Sequence, residues 1–192
     1  MNASTFAMPR HAVLGTPLLP PYPPECSVIE FGMGCFWGPE RLFWGISGVF
    51  TTAVAYCGGH TSQPTYKEVC SGSTGHAEVV RIVYMRDLLP LEQLLTLFWE
   101  HHDPTQGMRQ WNDQGTQYRS MINMWDSQQE SVVMESYGHY RQRLETAGMA
   151  PVTTGILLQA PSFLAEPEHQ QYLYHHPHGY CSMRGCGITY DP

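Results

Sequence analysis

The sequence predicts a single α+β domain with long coil at both termini, and three observations carry that prediction. Segments with strand character and segments with helical spacing interleave along the chain without any repeat. No phosphate loop or dinucleotide fingerprint opens any of the helices, which argues against a nucleotide-binding α/β fold. The 192 residues are enough for one full core and cramped for two. Residues 1–25 read as a proline-rich extension, 26–178 as the folded domain and 179–192 as a C-terminal tail.

The elements follow in order. Pro9, Pro17, Pro20, Pro21, Pro23 and Pro24 make the first segment an extended arm rather than a folding unit. Cys26 to Phe31 has strand character, and a glycine-flanked turn leads into a helix over about Pro39 to Ile46. A second strand is expected at Thr51 to Tyr56, closed by Cys57-Gly58-Gly59. His60 to Gly75 is rich in Gly, Ser, Thr and Pro and reads as a long loop, a kind usually tied to function. Ala77 to Met85 is a strand. Leu91, Leu94, Leu95 and Phe98 at helical spacing predict a helix from Leu91 to about His101, stopped by Asp103-Pro104. A polar loop, Thr105 to Gln117, leads to a strand over Tyr118 to Trp125. Ser127 to Glu130 fits a capping box for a helix running to Thr146. Val152 to Leu158 is the last expected strand, and from Glu166 the chain turns polar.

Bulk properties exclude several function classes. Hydrophobic content of 42% with 12% aromatics is globular. A formal charge of −7 leaves little positive charge to neutralise phosphates, against non-specific nucleic-acid binding. No apolar run approaches the roughly 20 residues of a membrane span. The first residues lack a secretory pattern, although residues 1–25 are also poor in acids, as an organellar signal would be. The six cysteines are too few and too scattered for a disulfide-stapled scaffold, which points to a cytoplasmic chain whose thiols are catalytic, redox-active or buried. Cys181 and Cys186 form the only close pair, without a second pair to complete a zinc site; no metal and no cofactor is expected.

Gly34-Cys35-Phe36-Trp37-Gly38 is the most informative stretch. Glycines on either side let the backbone turn and approach a substrate, and a helix start favours a thiolate. Phe36 and Trp37 would wall an apolar pocket. On these residues alone, a buried structural cysteine beside two core aromatics fits equally well.

The chain resembles the peptide methionine sulfoxide reductase A family from Phe31 to Cys181. The resemblance rests on that motif together with Pro64-Thr65-Tyr66, Gly75-His76-Ala77-Glu78 and His102-Asp103-Pro104-Thr105. It extends to Asp113-x-Gly115-x-Gln117-Tyr118-Arg119-Ser120 and His169-Gln170-Gln171-Tyr172-Leu173. It implies a two-layer mixed sheet with flanking helices around a ferredoxin-like core, and a catalytic role for residues 26–178. It also implies that Cys35 attacks the sulfoxide sulfur of oxidised methionine, free or in proteins, and becomes a sulfenic acid. Phe36 and Trp37 would receive the S-methyl group, and the leaving oxygen needs a general acid.

Glu78 matches the family's acid. It opens an apolar strand, where desolvation would raise its pKa; the residues alone also allow a strand-end glutamate paired with Arg81. Tyr66 and Tyr118 match two phenols that hold the sulfoxide oxygen. Asp113 matches a substrate-binding residue and equally suits a turn cap. His102 and Asp103 could simply end a helix.

By the resemblance Cys181 forms a disulfide with Cys35, which thioredoxin then reduces. Cys186, only five residues on, departs from the usual spacing of a second recycling cysteine, and a bystander fits as well as an exchange partner. Trp111 stands where many relatives carry a small residue. Cys26, Cys57 and Cys70 read as structural. Among other classes, a thiol–disulfide oxidoreductase lacks its Cys-x-x-Cys, a cysteine hydrolase lacks an evident histidine base, and a zinc-binding module would use the Cys/His tail.

Overall fold

A computed structural model describes residues 9–191. Its centre is a six-stranded mixed sheet. The strands are β1 (Cys26–Gly32), β2 (Val49–Cys57), β3 (Ala77–Met85), β6 (Met121–Met124), β7 (Gly155–Leu158) and β8 (Ser162–Leu164), in the order β7-β6-β1-β3-β2-β8. Only the β6–β7 pair is parallel. The helices are α1 (Trp37–Trp44), α2 (Tyr66–Cys70), α3 (Leu91–Glu100), α4 (Glu130–Thr146) and α5 (Tyr172–His175). A small hairpin, β4 (Arg109–Gln110) with β5 (Asp113–Gln114), stands apart from the sheet.

Strand alternation sorts the two faces. Ile29 and Phe31 of β1, Val80 and Ile82 of β3, and Ile122 of β6 meet Phe43 of α1, Leu94 and Phe98 of α3, and Val133 and Tyr140 of α4 in the main core. The opposite face carries a smaller cluster of Ala55, Cys57, Val79 and Met121. It also holds a buried ion cluster in which Glu30 accepts from Arg81 Nε at 2.9 Å, Ser162 Oγ at 2.6 Å and Asn123 Nδ2 at 2.8 Å.

The expected strands and the three long helices appear, with ends shifted by a few residues, as helix ends commonly fray. Five short elements lie outside the expected pattern: α2 and the strands β4 and β5 inside the expected loops, and β8 and α5 in the polar C-terminal stretch. The cap before α4 sits one residue earlier than expected, because Asp126 and Gln129 form the reciprocal box.

The arm is docked where it is described. His11 is buried and its Nε2 lies 2.9 Å from Thr52 Oγ1, while residues 10 and 17 form a β-bridge; residues 1–8 lie outside the described part. The tail holds no helix or strand from residue 176 to 191, yet it is anchored: Tyr190 is 6% exposed and stacks near Tyr140.

Candidate active site

β1 delivers the chain to Gly34, whose φ of +90° and contact with Gln110 (2.8 Å from any added Cβ) leave no room for a side chain. Cys35 follows, half-buried, and α1 begins at once. The free N–H groups of that helix start are divided between two side chains. Phe36 N–H donates to Glu78 Oε2 at 3.1 Å, and Trp37 N–H faces the Cys35 thiol.

Glu78 is 1% exposed, and burial pushes its carboxyl up to about 8 against the pull of the Phe36 N–H. Cys35 is also pushed up, first by burial and then by the nearby Glu78 carboxyl, with the Trp37 N–H opposing. The helix start therefore does not by itself make Cys35 a thiolate, as its position suggested. Burial thus favours the protonated form of both groups. Arg81, the alternative partner for Glu78, points to the opposite face and pairs with Glu30.

Strand register places Tyr56 opposite Glu78, so both side chains share the face that also carries Phe36. Tyr56 Oη donates to Glu166 Oε2 at 2.8 Å, and Glu166 Oε1 accepts the Tyr66 N–H at 2.7 Å. Glu166 thus fixes the first residue of α2. A capping box of Thr65 with Glu68 closes that helix's start. The phenols of Tyr66 and Tyr118 are raised by burial and also by the proximity of Glu78, and Tyr66 lies near Tyr118. Acid and both phenols therefore belong to one cluster.

An aromatic wall completes it. Trp37 stacks on Tyr172 at 4.0 Å and lies 5.9 Å from His169, whose ring is 4.4 Å from Tyr66. Trp37 Nε1 and His169 Nδ1 are buried with no hydrogen-bond partner among the described residues.

Asp113, from β5, has both carboxylate oxygens occupied by the tail: Tyr180 Oη donates to one at 2.9 Å and Ser182 Oγ to the other at 2.7 Å. Cys181, between them, rests on α1. A Cβ added at Gly38 would meet Cys181 Sγ at 2.9 Å. Cys186 lies elsewhere, against Tyr140 Oη at 3.4 Å and packed on the main core. Of the remaining cysteines only Cys57 is buried; Cys26 is half-buried, and Cys70 is exposed and lies beside the Tyr66 phenol, at the edge of the site rather than in a core.

His102 and Asp103 stand off from this cluster. His102 is buried between Phe98 O at 2.6 Å and Ser120 Oγ at 2.7 Å, and Asp103 caps Thr105 N–H at 3.0 Å. Sequence reading passed over Glu166 and the ring of His169 as site residues. His169 opens the His169-Gln170-Gln171-Tyr172-Leu173 block, and Glu166 lies outside it, three residues earlier. Both sit far along the chain from Tyr66, without local periodicity to mark them.

A family profile described as "Peptide methionine sulfoxide reductase" matches residues 27–188. The chain is 56% identical over 181 residues to peptide methionine sulfoxide reductase MsrA of Xylella fastidiosa, covering 94% of this chain and 83% of that one. Methionine sulfoxide reductase A of Corynebacterium diphtheriae is similar in structure, with a TM-score of 0.85 at 42% identity over 95% of this chain and 90% of that one. Mxr1 from Saccharomyces cerevisiae in its reduced form gives a TM-score of 0.73 at 29% identity over 83% and 91% of the two chains. With a family profile spanning most of the chain and relatives of this identity and fold, the chain belongs to the peptide methionine sulfoxide reductase family and is an oxidoreductase.

Proposed function

We propose that this protein reduces methionine S-sulfoxide, free and in oxidised proteins, through a sulfenic acid on Cys35. The observation that carries the reading is the shared helix start, which brings the Cys35 thiol and the buried, neutral Glu78 together. In the first step the Cys35 sulfur attacks the sulfoxide sulfur, and Glu78 supplies a proton to the departing oxygen. The oxygen passes to Cys35 as S–OH and methionine leaves. Tyr66 and Tyr118 donate hydrogen bonds to the oxygen. Phe36 and Trp37 wall the S-methyl group, and Asp113 lies at the polar rim.

In the second step the Cys181 thiol condenses with the sulfenic acid, forming a disulfide and releasing water. A thioredoxin dithiol then reduces that disulfide. Exchange with Cys186 would require it to leave Tyr140, and the cycle is complete without it. Cysteine usage supports a cytoplasmic setting. Among the described residues no helix is long and apolar enough to cross a membrane. The βαββαβ run β1-α1-β2-β3-α3-β6, with its strands ordered β6-β1-β3-β2, supports a ferredoxin-like core. The organisation we favour is an arm over 1–25, a catalytic domain over 26–178 and a recycling tail over 179–192.

Two variants test the cycle. Cys35→Ser should abolish methionine formation from a methionine sulfoxide peptide. Cys181→Ala should release one methionine per enzyme and then stop in the presence of thioredoxin. Sustained thioredoxin-driven turnover of Cys181→Ala would remove Cys181 from the resolving role.

A further inference from the structure

We propose that Asp113 is a latch for the resolving step: through the hydroxyls of Tyr180 and Ser182 it holds Cys181 over the start of α1, beside Cys35. This rests on the reductase cycle proposed above and gives Asp113 a second duty beyond the substrate-binding one expected of it.

The argument begins with the two residues that flank Cys181. Each donates a hydroxyl to a different oxygen of one carboxylate, at 2.9 Å and 2.7 Å. A charged acceptor makes both bonds stronger than neutral ones, and together they fix the backbone of the residue between them. The same alternation continues along the tail. Trp111 Nε1–H donates to Arg184 O at 2.9 Å, and the Arg184 guanidinium lies 3.8 Å over the indole. Residues 180, 182 and 184 therefore face the β4–β5 hairpin.

The residues between them face α1. A Cβ at Gly38 would meet Cys181 Sγ at 2.9 Å and Met183 Cβ at 3.1 Å. An extended chain sends successive side chains to opposite sides, so the hairpin grips one edge of the tail and presents the other to the helix start. Gly38 lies three residues along the chain from Cys35, so Cys181 meets the same helix start. Trp111, standing where many relatives carry a small residue, belongs to the same dock.

The step served is balanced within the cycle. The Cys181 sulfur attacks the Cys35 sulfur of the sulfenic acid, the S–O bond breaks, and the hydroxyl leaves as water with the proton of the Cys181 thiol. Its speed depends on how long Cys181 spends within reach, and the latch raises that fraction.

The test uses the full chain carrying Tyr180→Phe and Ser182→Ala together, mixed with one equivalent of a methionine sulfoxide peptide in the absence of reductant. Methionine should form at the wild-type rate. Loss of free thiols to the disulfide should slow roughly ten-fold or more, and a dimedone-type reagent should trap more Cys35 sulfenic acid. Ser182→Thr, which keeps a hydroxyl, should resolve at close to the wild-type rate. Disulfide formation at the wild-type rate in the double variant would overturn the latch. Equal slowing of both steps would also overturn it, because the contacts would then serve the substrate. A wild-type protein that formed no methionine at all would sink the reductase reading itself, and the latch with it.

Discussion

Glu78 and Cys35 share a helix start, and their protons have to be considered as a pair. In the proposed cycle, attack needs a thiolate on Cys35 while the acid on Glu78 keeps its proton, so the pair must hold one proton of a possible two. Burial raises both groups, Glu78 to about 8. At low substrate, methionine formation in a single turnover should therefore rise with pH to about 8, where the first proton leaves the pair, and level off above it. Glu78→Gln keeps an acceptor for the Phe36 N–H and removes the acid. We expect it to slow that step by roughly 10²- to 10⁴-fold and to erase the break near pH 8. A wild-type rate that declined between pH 6 and 8 would contradict the shared-proton account.

At the scale of an element, α2 shows how a short helix can carry a site residue. Five residues cannot stabilise a helix alone, since nucleation costs more than so few hydrogen bonds return. Two devices hold it: the Thr65–Glu68 box at its start, and the Glu166 carboxylate on the Tyr66 N–H from 100 residues away. Thr65→Ala should loosen this helix by about 1 kcal/mol. Amide exchange across Tyr66–Cys70 should then quicken and the first turnover slow, while disulfide formation keeps its rate. Unchanged exchange across α2 would show that Glu166 alone suffices.

For the molecule as a whole, buried titratable groups set how stability responds to pH. Burial raises Glu40 to about 7 and Glu78 to about 8, so the folded state holds protons that the unfolded chain releases above roughly 4.3. Their contribution to stability falls as pH rises through that range. Burial lowers His11 and His102 to about 4, so below roughly 6.5 the unfolded chain takes protons the folded one refuses, and stability is lost as pH falls. The two trends oppose each other at acid pH. Above pH 6.5 only the carboxyl trend remains, and the thermal midpoint should fall between pH 6.5 and 8. Glu78→Gln should flatten part of that fall. The ion cluster under the sheet is a separate support: Glu30→Ala leaves Arg81 buried without its partner and should cost about 3–5 kcal/mol by denaturant unfolding.

The sequence by itself determined the long elements and the family. Alternation in β1 and β3, and helical spacing in α3, are local patterns with enough residues to dictate their own structure, and the Cys35 motif sits at the junction those patterns create. The roles proposed for Cys35, Glu78, Tyr66 and Tyr118 come from residue types that suit the chemistry and from motifs that occur in family order. The tertiary structure decided the rest. Glu78 faces Phe36 rather than Arg81 because strand parity sends positions 78 and 81 to opposite faces of the sheet. The strand β8 and the helix α5 depend on partners such as Gln170, whose side chain caps Val54 from 116 residues away, while the docking of Cys181 depends on Asp113 and that of Cys186 on Tyr140. Elements of three or four residues draw their stability from such distant contacts, and a local pattern that short carries no trace of them.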